Sequence, residues 1–202
     1  LFVQAALCEQ ARTGDLVYHG HVGHLLLPGI AHLIRVRVIA GTEFRLEAVR
    51  RERGLDRRAA QAYLDRVDRD RREWARFLFG VEWDDPYLYD LVLNLDRISL
   101  GTACETVARL TEREEFQPTA ASRRAMDDLS LVSRVRAVLA GNPTTRDADL
   151  TVVADDGRVT ITGATPFAAV PECVSFVVQT VEGVKDVRTD IEVLPLTYYS
   201  ML

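Results

Sequence analysis

Residues Leu33–Ala40 (LIRVRVIA) alternate arginine with branched apolar side chains. That period of two predicts a strand. Tyr89–Leu95 (YDLVLNL) is nearly all apolar, as a buried parallel strand would be. Leu16–His19 predicts a short further strand. Helical patterns fill the intervals. Residues 2–12 predict a helix ended by Gly14-Asp15, and His21–Ile30 a short one stopped near Pro28-Gly29. Thr42 is placed as the N-cap of a helix through Arg53. Gly54 breaks it, and Asp56 caps a long helix to about Phe79. Ser99 caps another, from Leu100 to about Arg113. Strands alternating with helices predict an α/β domain with a parallel sheet.

The pattern then changes. Ser130 predicts the start of a helix whose apolar positions Leu131, Val132, Val135, Val138 and Leu139 fall at i, i+1, i+4, i+7 and i+8. Gly141-Asn142-Pro143 stops it. Leu150–Val153 and Val159–Thr162 predict strands on either side of Asp155-Asp156-Gly157, and Asp-Gly between alternating runs is a strong hairpin signal. Phe167–Thr180 predicts an apolar helix and Val184–Val193 a last strand. The order α-β-β-α-β predicts a small α+β domain. Three strands covered by helices suffice for independent stability. Between the two patterns, Glu112–Asp128 (EREEFQPTAASRRAMDD) is polar, carries Pro118 and has no sustained apolar period. The predicted division is a first domain at 1–115, a linker at 116–127 with Arg123 and Arg124 open to trypsin, a second domain at 128–195 and a tail at 196–202.

Composition narrows the function classes. The 202 residues exceed the roughly 100–150 of a usual single domain, so one large or two smaller domains fit. Apolar residues at 48% and charged residues at 27% are the balance of a globular protein in water. No run approaches the roughly 18 apolar residues of a membrane span. A net charge of −5 argues against a nucleic-acid coat. It also disfavours adsorption to anionic lipid through charge alone, so membrane contact is not the preferred mode. Cys8, Cys104 and Cys173 are far apart and odd in number, which suits a reducing cytoplasm rather than a disulfide framework or a zinc site. His19, His21, His24 and His32 cluster, but no Cys or acid stands at ligand spacing, so no metal is expected. Asp84-Asp85-Pro86 reads as a cap before Tyr87. Of the 25 basic residues 24 are arginine, and Lys185 is the single lysine.

Charge is uneven along the chain. Arg45–Arg76 holds eleven arginines against seven acids. Within it Arg66, Asp70 and Arg71 lie on the long predicted helix, with Arg66 and Asp70 on one face. Phosphoryl transfer needs cations around developing charge on phosphate oxygens, and guanidinium groups meet it bidentately.

The segments GDLVYHGHVGHLLL, LIRVRVIAGTEFRLEAVRRERGL and AQAYLDRVDRDRREWARFLFGVEWDDPYLYDLVLNLDRIS occur in an order that resembles the cytidylate kinase-like branch of nucleoside monophosphate kinases. The resemblance covers about residues 1–113, the C-terminal two-thirds of such a domain. It implies a truncated P-loop-kinase-type parallel sheet with helices and a nucleoside monophosphate partner. It implies cytidylate contacts at Arg66 and Asp70, and phosphate contacts at Arg45, Arg71 and Arg72. Arg72 would replace a family arginine where this chain has Glu73. The family's acceptor-phosphate arginine, in a Gly-Arg turn, is replaced at Gly20-His21. Histidine is neutral over much of the physiological range and not bidentate, so His21 should hold the acceptor weakly.

ATP and Mg are the family's cofactors, held by a P-loop, G-x-x-x-x-G-K-[ST]. Lys185 sits elsewhere, in VEGVKDV, so these 202 residues contain no such motif. The family carries it before the point where this chain begins, and Leu at position 1 favours a fragment over a lost P-loop. Efficient ATP-dependent transfer is not expected of the chain as given.

SRVRAVLAGNP, DLTVVADDGRVTITGATP and VEGVKDVRTDIEV resemble, in order, a BON domain over about Asp128–Pro195. Gly157, Gly163 and Gly183 are then turn residues. The resemblance implies a non-enzymatic module associated with phospholipid or small-ligand binding and with protein contacts, a regulatory ligand-sensing or interaction role being preferred to membrane docking. The preferred expectation is a pyrimidine nucleoside monophosphate kinase-like protein with an appended BON regulatory domain. The rival is a non-catalytic sensor built on a degenerate kinase fold.

Overall fold

A computed structural model describes residues 1–194; the expected tail at 196–202 lies outside them. In chain order the elements are α1 (Phe2–Arg12), β1 (Val36–Ile39), α2 (Thr42–Arg53), α3 (Arg57–Phe79), β2 (Leu91–Asn94), α4 (Leu100–Thr111), α5 (Ala120–Gly141), β3 (Asp149–Asp155), β4 (Arg158–Thr165), α6 (Val170–Gln179) and β5 (Asp186–Val193). They form two compact units. Residues 18–118 make one; residues 1–17 together with 119–194 make the other.

In the 18–118 unit β1 and β2 pair in parallel, from Val36 opposite Leu91 to Ile39 opposite Asn94. Asp90 fixes that register. It takes the Arg35 backbone N–H at 2.7 Å and the Arg35 guanidinium at 2.6 and 3.1 Å. At the other end of the strands Asp96 accepts the Gly41 N–H at 2.7 Å. Gly41, not Thr42, is the N-cap of α2, and Thr42 is its first residue. Asp56 caps α3 as expected, accepting from the Ala59 N–H at 2.8 Å. The packed core lies between α2 and α3, with Leu46, Ala60 and Leu64 buried and Val49 and Leu55 against them. Leu16–His19 forms no strand, and Val17 is 94% exposed. Four residues cannot hold an extended ladder without a partner strand. The helix expected within His21–Ile30 shrinks to one 3-10 turn, Gly23–Leu26.

In the other unit the sheet order is β3-β4-β5, β3 antiparallel and β5 parallel to β4. The hairpin turns at Asp156-Gly157, both at positive φ (49° and 82°), as a two-residue turn matched to strand twist requires. Gly163 has a different role: a Cβ there would overlap the Asp149 carbonyl oxygen of the facing strand. The core joins α5, α6 and the sheet through Leu131, Val135, Val159, Ile161, Val174 and Val178.

Two features of this unit differ from the sequence reading. The segment expected as a linker is helical from Ala120. Thr119 and Ser122 form a reciprocal capping box, with N···O distances of 3.1 and 2.9 Å, which satisfies two otherwise orphaned donors. Ser122 and Met126 are buried. Second, α1 packs along α5. Leu7 and Cys8 are buried, Cys8 Sγ lies 3.6 Å from Ser133 Oγ, and Arg12 Nε donates to Asp127 at 2.9 Å. Small buried side chains, Ser130 and Ser133, let the helices approach. No helix among the described residues is long and apolar enough to cross a membrane.

Candidate functional site

The 18–118 unit holds a cleft of about 570 Å³ between β1, α2 and α3. Val38 and Ile39 at the C-terminal end of β1, and Ala40 just beyond it, line the cleft. In open parallel sheets, ligands bind beyond the C-terminal ends of the strands. On α3 the lining residues are Tyr63, Leu64, Val67, Asp68, Arg71 and Arg72. That is one helical stripe. Ala60, Leu64 and Ala75 are buried and set which way the stripe faces. Arg45 and Arg53 come from α2, and Trp83 from the segment after α3.

The cations in this cleft are placed by aromatic rings and one carboxylate. Arg37 sits 4.7 Å from the centre of the Trp83 ring and 5.6 Å from that of Tyr89. Arg71 lies 5.9 Å from the same Trp83 ring. Arg53 stands 4.4 Å above Tyr63. Such stacking orients a guanidinium without neutralising it. Arg45 is different. Its two terminal nitrogens donate to Asp68 at 2.6 and 2.9 Å, and this bond raises the Arg45 pKa above its ordinary value. The Arg37 Nε is buried with no hydrogen-bond partner. The arrangement can take an anion through Arg37, Arg71 and Arg72, and a flat ring against Tyr63 or Trp83.

The expected site residues divide. Arg45, Arg71 and Arg72 line the cleft. Asp70 and Arg66 do not; both are exposed. Each stands two residues from Asp68, and two residues are about 200° of helix rotation. Arg66 lies 5.7 Å from the Tyr63 ring. The carboxylate inside the cleft is Asp68. His21 also lies outside the lining. Its Nε2 is 3.0 Å from the Arg71 carbonyl oxygen; a carbonyl only accepts, so Nε2 carries the proton. Its ring meets Trp83 edge-on at 5.3 Å. Desolvation pushes the pKa of His21 down, and that of His24 likewise. His21 thus braces α3 and Trp83. Arg37, Asp68, Tyr63 and Trp83 went unread in the sequence. The inward stripe Ala60, Leu64, Val67 was the signal for Asp68 and Tyr63; nothing local marks Arg37 or Trp83, which a strand and a loop bring in.

Among the described residues no group of three or more His, Cys, Asp or Glu side chains could hold a metal ion. No lysine lies in this unit, since Lys185 is the only one. The described residues thus show no lysine-bearing phosphate cradle of the P-loop kind.

Comparison with known proteins agrees with the two-part arrangement. Residues 2–97 match the Cytidylate kinase-like family, and residues 127–195 match the BON domain. The first match includes α1, which the fold packs on α5. An uncharacterized protein from Eubacterium ventriosum ATCC 27560, known from its crystal structure, is similar in fold, with a TM-score of 0.50 and 16% identity. The likeness covers 54% of this chain and 62% of that protein, so the chain spans less than two thirds of it. No curated protein matches the chain. The chain thus carries a cytidylate kinase-like region followed by a BON domain.

Proposed function

We propose that the cleft of the 18–118 unit binds a pyrimidine nucleoside monophosphate, and that the BON-bearing unit is a ligand-binding, regulatory appendage. The observation that carries this reading is the set of stacked guanidinium groups at the end of β1, with Arg37, Arg71 and Arg53 held on Trp83 and Tyr63 in a region matching the Cytidylate kinase-like family. Arg37, Arg71 and Arg72 would take the phosphate, and Tyr63 or Trp83 the base. Asp68, the cleft carboxylate now bonded to Arg45, would accept from an exocyclic amine.

The parent reaction, movement of a phosphoryl group from ATP, needs a donor cradle. These 202 residues supply no G-x-x-x-x-G-K-[ST]. They are expected to bind the acceptor without turning it over, which also favours a sensor as the second reading. Trp74 and Trp83 are the two tryptophans, so a Trp74→Phe variant leaves Trp83 as the reporter. CMP should quench it saturably, and Arg71→Gln should weaken binding about tenfold, as loss of a charge-assisted hydrogen bond does. A coupled assay with ATP and CMP should stay at background. Absence of quenching removes the acceptor reading; turnover at roughly 1–100 per second removes the sensor reading.

A further inference from the structure

Opposite its buried stripe of Ala60, Leu64 and Ala75, α3 presents Ala62, Arg66, Arg69, Asp70, Glu73 and Phe77, all of them exposed. At about 100° of rotation per residue these six share one face of the helix. Phe77 is 86% exposed, and Trp74 at the edge of the face 61%. Single apolar residues on a surface need no explanation, but two large aromatics one turn apart do. The four charges are ordered along the helix. Arg66 and Arg69 form a basic half, Asp70 and Glu73 an acidic half. Arg66 and Asp70 stand at i and i+4, as do Arg69 and Glu73, yet among the described residues none of the four makes an ion pair. Arginine N-terminal to the acid is the poorer order for such a pair. Arg66 rests 5.7 Å from the Tyr63 ring, which leaves its charge in place. The neighbours of the face are already engaged: Arg76 donates to Glu82 at 2.5 and 2.8 Å, and Asp65 accepts from Gln61 at 2.8 Å.

We propose that this face pairs with the same face of a second copy of the chain, the two α3 helices running antiparallel. The intervals between residues 62, 66, 69, 70, 73 and 77 are 4, 3, 1, 3 and 4, the same in both directions. A two-fold axis at the Arg69–Asp70 peptide therefore sets Arg66 level with Glu73 of the second copy, Arg69 level with its Asp70, and Phe77 level with its Ala62. The sign of charge inverts through that axis, so opposite charges meet at each level. A parallel pair would set arginine on arginine and acid on acid, which charge repulsion disfavours. Arginine forks suit carboxylates, and the small side chain at Ala62 leaves room for the Phe77 ring. The face is about 24 Å long, so the interface belongs to the small, reversible size class. The cleft lined by Asp68 and Arg71 lies on another side of α3, and pairing does not depend on the nucleotide reading.

Sedimentation velocity of the full chain tests this. The mass should rise from that of one chain to that of two as concentration is raised through roughly 1–100 µM. Two charge-reversed variants identify the surface. Arg66→Glu with Arg69→Glu makes the four charges of the face acidic; Asp70→Arg with Glu73→Arg makes them basic. Each variant should stay a monomer where the unsubstituted chain is a dimer, because like charges then meet at each level. Mixed in equal amounts, the two should form a one-to-one dimer, because opposite charges meet again. All four positions are exposed, and circular dichroism checks that both variants fold. A monomer at every concentration for the unsubstituted chain overturns the proposal. So does a variant that self-associates alone, or a folded pair that fails to associate when mixed. Should either variant fail to fold, Phe77→Ser decides: it should raise the dissociation constant of the dimer about tenfold, and undiminished association would overturn the pairing.

Discussion

Arg45 and Asp68 show how a side chain can be in the right place yet engaged elsewhere. Arg45 lines the cleft, but both of its terminal nitrogens are bonded to Asp68. A phosphate must compete with that carboxylate. Asp68→Asn keeps the shape and removes the charge. The expected result is a several-fold gain in affinity for inorganic phosphate, measured by Trp83 quenching, at a loss of about 1 kcal/mol in stability, the upper end for a largely solvated pair. A fall in phosphate affinity would mean that Asp68 positions Arg45 instead of occupying it. The sequence reading put the carboxylate contact at Asp70, whereas the acid of this run that lines the cleft is Asp68. The run DRVDRDRR offers three acids and four arginines spread around the helix, and the buried Leu64 and Ala60 select Asp68 as the inward acid.

At the scale of elements, α5 carries the largest revision. Its first turn contains the arginines expected in an open linker. Thr119 and Ser122 close that turn by capping each other. Thr119→Ala should cost about 1 kcal/mol, read from denaturant titration of the full chain by circular dichroism. Under native conditions trypsin should cut after Arg113, which is exposed beyond the end of α4, before it cuts after Arg123 or Arg124. An earlier cut at Arg123 would mean that the first turns of α5 are frayed. A fragment starting at residue 128 would begin inside α5, without its cap and without α1 against Ser133. It should therefore melt below the same unit in the full chain.

At the scale of the whole molecule, each unit has its own core, and the two differ in substance. The helical core of the 18–118 unit is Leu46, Ala60 and Leu64, while Trp74 and Phe77 stand 61% and 86% exposed. The other unit joins two helices and a three-stranded sheet around ten buried residues. Both tryptophans lie in the first, so their fluorescence reports it alone. Desolvation holds His21 and His24 below the ordinary histidine value of 6.5. The unfolded chain then binds more protons than the folded one just below that pH, and stability falls as pH falls through the window. The fluorescence-monitored melting midpoint should drop on acidification from pH 7 through this window. An unchanged midpoint would place both rings in solvent.

What local sequence determined here is what local physics can determine. The period-two run at β1, the apolar run at β2, the caps Asp56 and Ser99, and the Asp-Gly hairpin each need only neighbouring residues. The pattern of BON and kinase-like segments was legible for the same reason, being written in consecutive residues. Tertiary structure decided the rest. The packing of α1 on α5 depends on contacts more than a hundred residues apart, and no periodicity within α1 announces its partner. The helical phase of α3 is set by the side chains of α2. The cleft gathers residues from separate elements, Arg37 with Trp83 and Arg45 with Asp68. Charges spread along the chain become sites only when the fold closes them around one point.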